Sequence, residues 1–362
     1  MKHRDRVFLS LDHKEPDRCP MQIDFTPEFT DRLKQDMKNK GLIGEDPESA
    51  DSTYLKRAID EDMILTAVGW LTCYYQQGDE YTDEWGIGWK SVTYQTPFGT
   101  GRYTDVVHNP LSDNKAIENY TCPDPNRPEL YTEAKRVIER FKNEYYIVGV
   151  TKTTIFETAW ALRGLSRLLL DLMEDPDLAE RILDIPFHYH LVAAKRLVEM
   201  GVDMIWTGDD VGTQHQMMIS PVMWKRFLKP RMARFFAELK EINPEVKIAY
   251  HSDGFIEPII PDLIEIGLDV LNPVQPSCMD PAEIKRKYGD RLSFWGTIDM
   301  QKTLPYGSPE DVRNEVLGRL QTVGKNGGLI IGPTHNVQLD VPMENFWAMV
   351  ETIRETRCSD LS

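Results

Sequence analysis

The sequence predicts an α/β fold, a single (β/α)8 TIM-type barrel. From about residue 145 onward, short apolar runs alternate with amphipathic stretches of helical period. That alternation is the signature of parallel strands joined by helices. Most of the short runs end in polar residues, as barrel strands do on the face that carries chemistry. No GxGxxG follows a strand and no GxxxxGK[ST] occurs, which disfavours the dinucleotide and P-loop sheets.

The elements follow in chain order. A first strand is expected at 19–25 (CPMQIDF) and a second at 62–67. Six more are expected at 145–151, 203–207, 246–251, 269–274, 292–298 and 328–332, which brings the count to eight. Helices are expected at 162–173, 177–200, 221–242, 256–266, 281–288 and 309–323. Ser308-Pro309-Glu310-Asp311 opens the last of these with a serine N-cap, proline at N1 and acids in the first turn. Gly201 and Gly267 stand where C-terminal caps belong. Residues 81–107 alternate, are rich in glycine, threonine and aromatics, and carry a turn signal at Pro97-Phe98-Gly99. They are read as an inserted β-hairpin near the barrel mouth. Residues 1–362 are otherwise one domain.

Composition narrows the function. The chain has 362 residues, 41% hydrophobic and 28% charged, an ordinary globular balance that excludes a disordered chain. Its net charge is −16, from 58 acidic and 42 basic residues, so nucleic acid is a poor partner. No apolar run reaches the roughly 18 residues of a membrane span, and the charged start lacks the pattern of a secretory signal. A cytoplasmic protein is expected. The five cysteines are scattered with no CxxC pair, which argues against disulfides and against a thiolate-only zinc site.

Functional groups of a barrel collect at the C-terminal ends of its strands. The polar residues there are Asp24, Lys152 to Glu157, Asp209, Asp210, Gln214, His251, Asp253, Asn272, Gln275, Asp299, His335 and Asn336. His251 and Asp253 stand two apart at a strand end, so their side chains share a face. With His335 they make a two-histidine, one-carboxylate set able to hold zinc or another divalent metal with a position left open. Glu157 can serve as a further ligand, as a general acid, or as a first-turn acid on the following helix. Asp209 and Asp210 can act on substrate, serve as a general base, or brace a helix start. Trp85 and Trp89, in the inserted segment, are the aromatics best placed to face a planar ligand. His188 and His190 lie two apart in a helix and diverge around its axis, so they read as surface or packing residues.

The stretches HSDGFIEPIIPDLIEIGLDVLNPVQ (251–275), LSFWGTIDMQKTLPYGSPEDVRNEV (292–316) and GLIIGPTHNVQLDVPMENFWAMVE (328–351) resemble the uroporphyrinogen decarboxylase superfamily. The N-terminal RDRVFLSLDHKEPDRCPMQIDF (4–25) and the DEWG segment (83–86) fit the same pattern. The resemblance implies a barrel and admits more than one chemistry. Decarboxylases of the superfamily carry an arginine-rich motif after the first strand; here that place reads CPMQIDFTPEFTDRL, with only Arg32 nearby. The methyltransferases of corrinoid systems put zinc on an HxC motif and a later cysteine. The matching positions here are His251, Asp253 and His335, so both thiolates are replaced.

That replacement makes the metal harder and suits it to an oxygen ligand. The resemblance therefore implies an O-demethylase-type methyltransferase. A methyl group would pass from a small methylated substrate, an O-methyl or methoxylated aromatic compound, to Co(I) of a separate corrinoid protein. No corrinoid-binding DxHxxG motif occurs in the chain, so the corrinoid would come from a partner. His251, Asp253 and His335 would hold the metal, and Glu157 and Asp210 would serve the leaving oxygen. Asp24, Trp85, Gln214, Asn272 and Gln275 would contact substrate. The rivals are a metal-free decarboxylase or lyase of a small carboxylic acid, with Asp24 or His335 as acid/base, a non-catalytic barrel that binds a corrinoid or tetrapyrrole, and a methyltransferase with another donor or acceptor. The oligomeric state, a homo-oligomer included, stays open.

Overall fold

The structure, a computed structural model, describes residues 1–44, 53–73 and 78–361. Ten strands are present among them: β1 (Met63–Ala67), β2 (Glu80–Thr82), β3 (Gly88–Thr96), β4 (Gly99–His108), β5 (Tyr146–Val150), β6 (Met204–Gly208), β7 (Lys247–His251), β8 (Val270–Asn272), β9 (Ser293–Ile298) and β10 (Leu329–Pro333). Seven of them form one parallel sheet in the order β1-β5-β6-β7-β8-β9-β10. The segment around Met21 closes it. Met21 makes a parallel bridge to Ile331 of β10, and its carbonyl accepts the amide of Asp62 at 3.0 Å. The expected first strand thus takes the eighth place of the barrel through a few bonds rather than a full ladder.

Alternation within the strands decides what enters the barrel. Met63, Tyr146, Val148, Val150, Met204, Trp206, Ala249, Val270, Trp295 and Ile330 form one buried interior cluster. Val7 and Leu11, from the N-terminal helix His3–Leu11, join that cluster and plug the barrel floor. The intervening residues, such as Ile147, Ile205, Ile248, Leu271 and Ile331, pack outward against the helices. Continuing the inward parity by two residues carries Lys152, His251 and Asn272 to the C-terminal rim.

The floor is also fixed by charge. Asp62 is fully buried and accepts hydrogen bonds from Arg6 (2.5 Å), Arg18 (2.6 Å), His3 (2.9 Å) and the Met21 amide (2.8 Å). A buried carboxylate is tolerated only with such partners.

Most element boundaries agree with the sequence reading to within a residue or two. Two expected helices are broken. The stretch 221–242 divides into Pro221–Phe227 and Lys229–Ile242, with Pro230 placed in the first turn of the second helix, where its missing N–H costs nothing. The stretch 162–173 divides at Gly164, whose φ of +90° ends one helix before the next begins.

The insertion is a three-stranded antiparallel sheet, β2-β3-β4, rather than a simple hairpin. β3 and β4 pair from Gly88↔His108 to Thr96↔Gly99. The turn residue Phe98 lies under the Arg32 guanidinium, 3.9 Å from its ring centre. Arg32 in turn donates to the carbonyls of Leu339 and Val341 in the loop after β10. No helix among the described residues is long and apolar enough to cross a membrane.

Candidate metal and substrate site

The loops after β6 and β7 meet at two glycines. A Cβ on Gly212 would stand 2.6 Å from the Asp253 carbonyl, and one on Gly254 would stand 2.7 Å from the Gly212 carbonyl carbon. This close approach sets Asp210 beside Asp253. The Asp253 amide donates to Asp210 Oδ1 at 2.8 Å, and the same carboxylate lies 3.6 Å from His251 Nε2. The ligand atoms of Asp210, His251 and Asp253 all lie within 4.8 Å of one another. His335 stands at the rim, its Nε2 4.0 Å from Asp253 Oδ2.

The hydrogen bonds behind His251 select its tautomer. Asn272 Nδ2 donates to the Trp295 carbonyl at 3.1 Å, so its Oδ1 faces the imidazole. Nδ1 of His251 lies 2.7 Å from that oxygen and must carry the proton. The Nε2 lone pair is then aimed at the carboxylates. Burial, aided by the Lys152 charge, lowers the His251 pKa to about 3, so the ring is neutral at physiological pH. Asp253 is pushed up to about 8 by burial and by Asp210. Its Oδ1 is buried without a hydrogen-bond partner. A neutral imidazole, two carboxylates and an orphaned buried oxygen form a donor set that fits a divalent metal.

A cavity of about 530 Å³ opens beside this cluster. Phe25, Pro27, Leu65, Ala67, Val150 and Trp206 form an apolar wall, and Asp24, Lys152, Glu157, Asp210, His251, His335 and Asn336 add polar groups. Glu157 is held well above the ordinary carboxyl range by burial and by the neighbouring Asp210 and Asp209. Its Oε2 accepts the Asp210 amide at 3.0 Å. Asp209 is the brace of the pair. It is fully buried and accepts the amides of Ile155 and Glu157 at the start of the helix Phe156–Arg163. Asp24 pairs with Lys56. Burial opposes its ionisation, but the Lys56 and Lys152 charges outweigh this and hold its pKa below the usual range.

The residues expected at the site divide into four groups. His251, Asp253, Asp210, Glu157 and Asp24 are brought to one place, with His335 at its edge. Asn272 and Gln275 support rather than line the main cavity: Gln275 Oε1 accepts the Gly254 amide at 2.6 Å and so shapes the β7 loop. Gln214 lies on the exposed rim and bonds Gln301 and the Ser277 carbonyl. Trp85 is the correction. It is 1% exposed and packs on Tyr189 at 4.7 Å and His190 at 5.9 Å, away from the cavity. Trp89 is equally buried, its indole N–H donating to Asp83. The aromatic pair builds the inserted sheet's core, as large apolar side chains do when a face can cover them. Asp210, expected as an acid/base group, belongs to the ligand-bearing cluster. His190, expected to pack, is fully buried.

Comparison with known proteins adds a family. A family model described as uroporphyrinogen decarboxylase (URO-D) matches residues 94–356. Among curated relatives, a "Methylcobamide:CoM methyltransferase MtaA" of Methanosarcina barkeri is 29% identical over 175 residues, 48% of each chain. The chain thus spans about half the length of that relative. A uroporphyrinogen decarboxylase of Psychromonas ingrahamii is 25% identical over 69% of this chain and 70% of its own. Among solved structures, a methyltransferase from Methanosarcina mazei superposes over 98% of this chain and 99% of its own, with a TM-score of 0.69 at 20% identity. That likeness shows the barrel fold.

Proposed function

The chain belongs to the uroporphyrinogen decarboxylase family, and on that premise we propose that it is a metal-assisted methyltransferase. It takes a methyl group from a small methylated substrate, an O-methyl and specifically a methoxylated aromatic compound, and delivers it to Co(I) of a separate corrinoid protein. The observation that carries the reading is the composition of the cluster at the β6 and β7 ends, which offers one imidazole nitrogen and two carboxylates but no thiolate. Zinc bound by His251, Asp210 and Asp253, with His335 at the edge, would supply a Lewis acid suited to an ether oxygen and to the negative charge left on it.

The chain's own groups do the remaining work. Asn272 holds the His251 ring in one tautomer. Phe25, Leu65, Val150 and Trp206 pack the body of the substrate and keep water from it. Glu157, kept protonated by its burial, holds a proton at the cavity wall for the departing oxygen. The carbon–oxygen bond breaks, the carbon–cobalt bond forms on the partner, and the oxygen leaves as a hydroxyl. Residues 1–362 act as one domain in this reading.

A second reading has support in the relative named as a CoM methyltransferase: methyl exchange between a corrinoid and a thiol. One assay separates the two. Zinc-loaded protein is incubated with cob(I)alamin and either a methoxybenzoate or a methylated thiol. Methylcobalamin from the methyl ether, seen in the visible spectrum and matched by the phenol, is expected. Methylcobalamin from the thioether alone assigns the sulfur chemistry, and none from either removes methyl transfer to cobalt.

A further inference from the structure

Among the described residues, Lys152 is the one lysine or arginine that lines the cavity. It follows Val148 and Val150 in inward parity, two residues past the last inward position of β5. The Thr151 amide, bonded to the Trp206 carbonyl at 2.8 Å, fixes the backbone just before it. Its ammonium sits 4.1 Å from the centre of the Trp206 ring. Among the described residues no carboxylate comes within ion-pair distance of it, although Asp24, Glu157 and Asp210 line the same cavity.

Each of those acids is already engaged. Asp24 is paired with Lys56. Glu157 is kept neutral and accepts the Asp210 amide. Asp210 accepts the Asp253 amide and faces His251. The tryptophan face holds the ammonium in place, since a cation over an indole is attracted by the ring quadrupole. The indole brings no negative charge, and the ammonium acts on Asp24 only through space, helping to hold that carboxyl ionised without a direct ion pair. A half-buried cation of this kind, set beside the apolar Val150 and Trp206 at the cavity wall, is a receptor for one anionic group on an otherwise apolar molecule. Lysine presents a compact point charge with three donors rather than the two-pronged fork that arginine offers, enough to hold one anionic group of the substrate.

We propose that Lys152 is the specificity-determining residue of the cavity and that the substrate is a carboxylic acid, its carboxylate on the Lys152 ammonium and its apolar body against Leu65, Val150 and Trp206. This deepens the proposed methyl transfer by naming the class of methylated substrate, and it rests on that reading for the identity of the cavity as the substrate site. Asn336, which lines the main cavity and the adjoining recess beside His251, can add a hydrogen bond to the same carboxylate.

The test reads binding without turnover. Zinc-loaded wild type, Lys152→Met and Lys152→Arg are titrated calorimetrically with 4-methoxybenzoate and with its neutral counterpart 4-methoxybenzyl alcohol. Wild type is expected to favour the acid by at least about tenfold, as a partly desolvated ion pair allows. Lys152→Met removes that preference and shifts the alcohol by less than about twofold. Lys152→Arg, which keeps the charge, retains part of the preference and shows that the methionine effect comes from charge. Equal affinities in wild type, no binding of the acid, or an acid preference that survives in Lys152→Met each overturn the proposal. The last result would assign the carboxylate to the metal instead. A protein that shows the expected binding pattern yet methylates no cobalt keeps the Lys152 assignment and loses the methyl-transfer reading.

Discussion

The Oδ1 of Asn272 lies 2.7 Å from Nδ1 of His251, while the amide nitrogen of the same side chain donates to the Trp295 carbonyl. A side chain at the end of β8 thus decides which nitrogen of a β7 histidine is free for a ligand. Such partners orient metal-binding imidazoles and raise their affinity. Asn272→Leu removes the acceptor and lets the ring rotate. Zinc affinity is expected to fall roughly tenfold to a hundredfold. Competition with a chromophoric chelator measures it, and excess zinc should restore the site. Unchanged affinity would mean that Asn272 plays no part in holding the ring.

Zinc binding is expected to release a proton from Asp253. Burial and Asp210 raise this carboxyl to about 8 in the metal-free protein, so at pH 7 the metal must displace its proton. Apparent affinity therefore rises with pH below about 8 and levels off above it. His251, with its pKa near 3, contributes no proton over that range. Titration calorimetry in buffers of different ionisation enthalpy counts the protons. The pH slope should vanish in Asp253→Asn, which will also bind zinc more weakly.

Glu61 makes stability fall as pH rises. It is 1% exposed, and neither carboxyl oxygen has a hydrogen-bond partner. Lys56 is 3.8 Å away and already committed to Asp24. Burial raises the Glu61 pKa from 4.5 to about 8. Between those values the unfolded chain releases a proton that the folded chain keeps, so folding loses free energy as pH increases. Glu61→Gln removes this dependence. Its thermal midpoint should exceed that of wild type at pH 8 and approach it near pH 5. A difference that does not change with pH would contradict the assignment.

Asp62 carries the barrel floor. Removing it strands Arg6 and Arg18 and frees the Met21 amide that helps to close the barrel. Asp62→Ala is expected to cost about 3–5 kcal/mol, the usual penalty for breaking a buried ion pair from one side. Denaturant unfolding measures it. A loss below about 1 kcal/mol would place the floor's stability in apolar contacts instead.

The barrel was legible because strand alternation and helix caps are local signals. Ser308-Pro309 opens a helix where expected, with the capping box formed by Ser308 and Asp311. His251 and Asp253 were also legible, from their spacing at a strand end. Trp85 was not, because an aromatic in an inserted sheet reads the same whether it faces a ligand or the helix 176–200. Its environment depends on Tyr189 and His190, about a hundred residues away. The part of Asp210 in the ligand cluster depends on the contact between Gly212 and Gly254, which no local pattern encodes. Lys152 was legible among the strand-end residues, and its place inside the cavity follows from continuing the inward parity of β5 from Val150 past the strand end.

The most direct measurement is the zinc content of wild type and of His251→Ala after loading and desalting, with circular dichroism to confirm that both are folded. About one zinc per chain in wild type and little in the variant is expected of a site with His251 as its only described imidazole within the cluster. No zinc in wild type, or equal zinc in both proteins, would contradict a metal centre at the ends of β6 and β7. The carboxylates of Asp210 and Asp253 would then belong to metal-free acid/base chemistry.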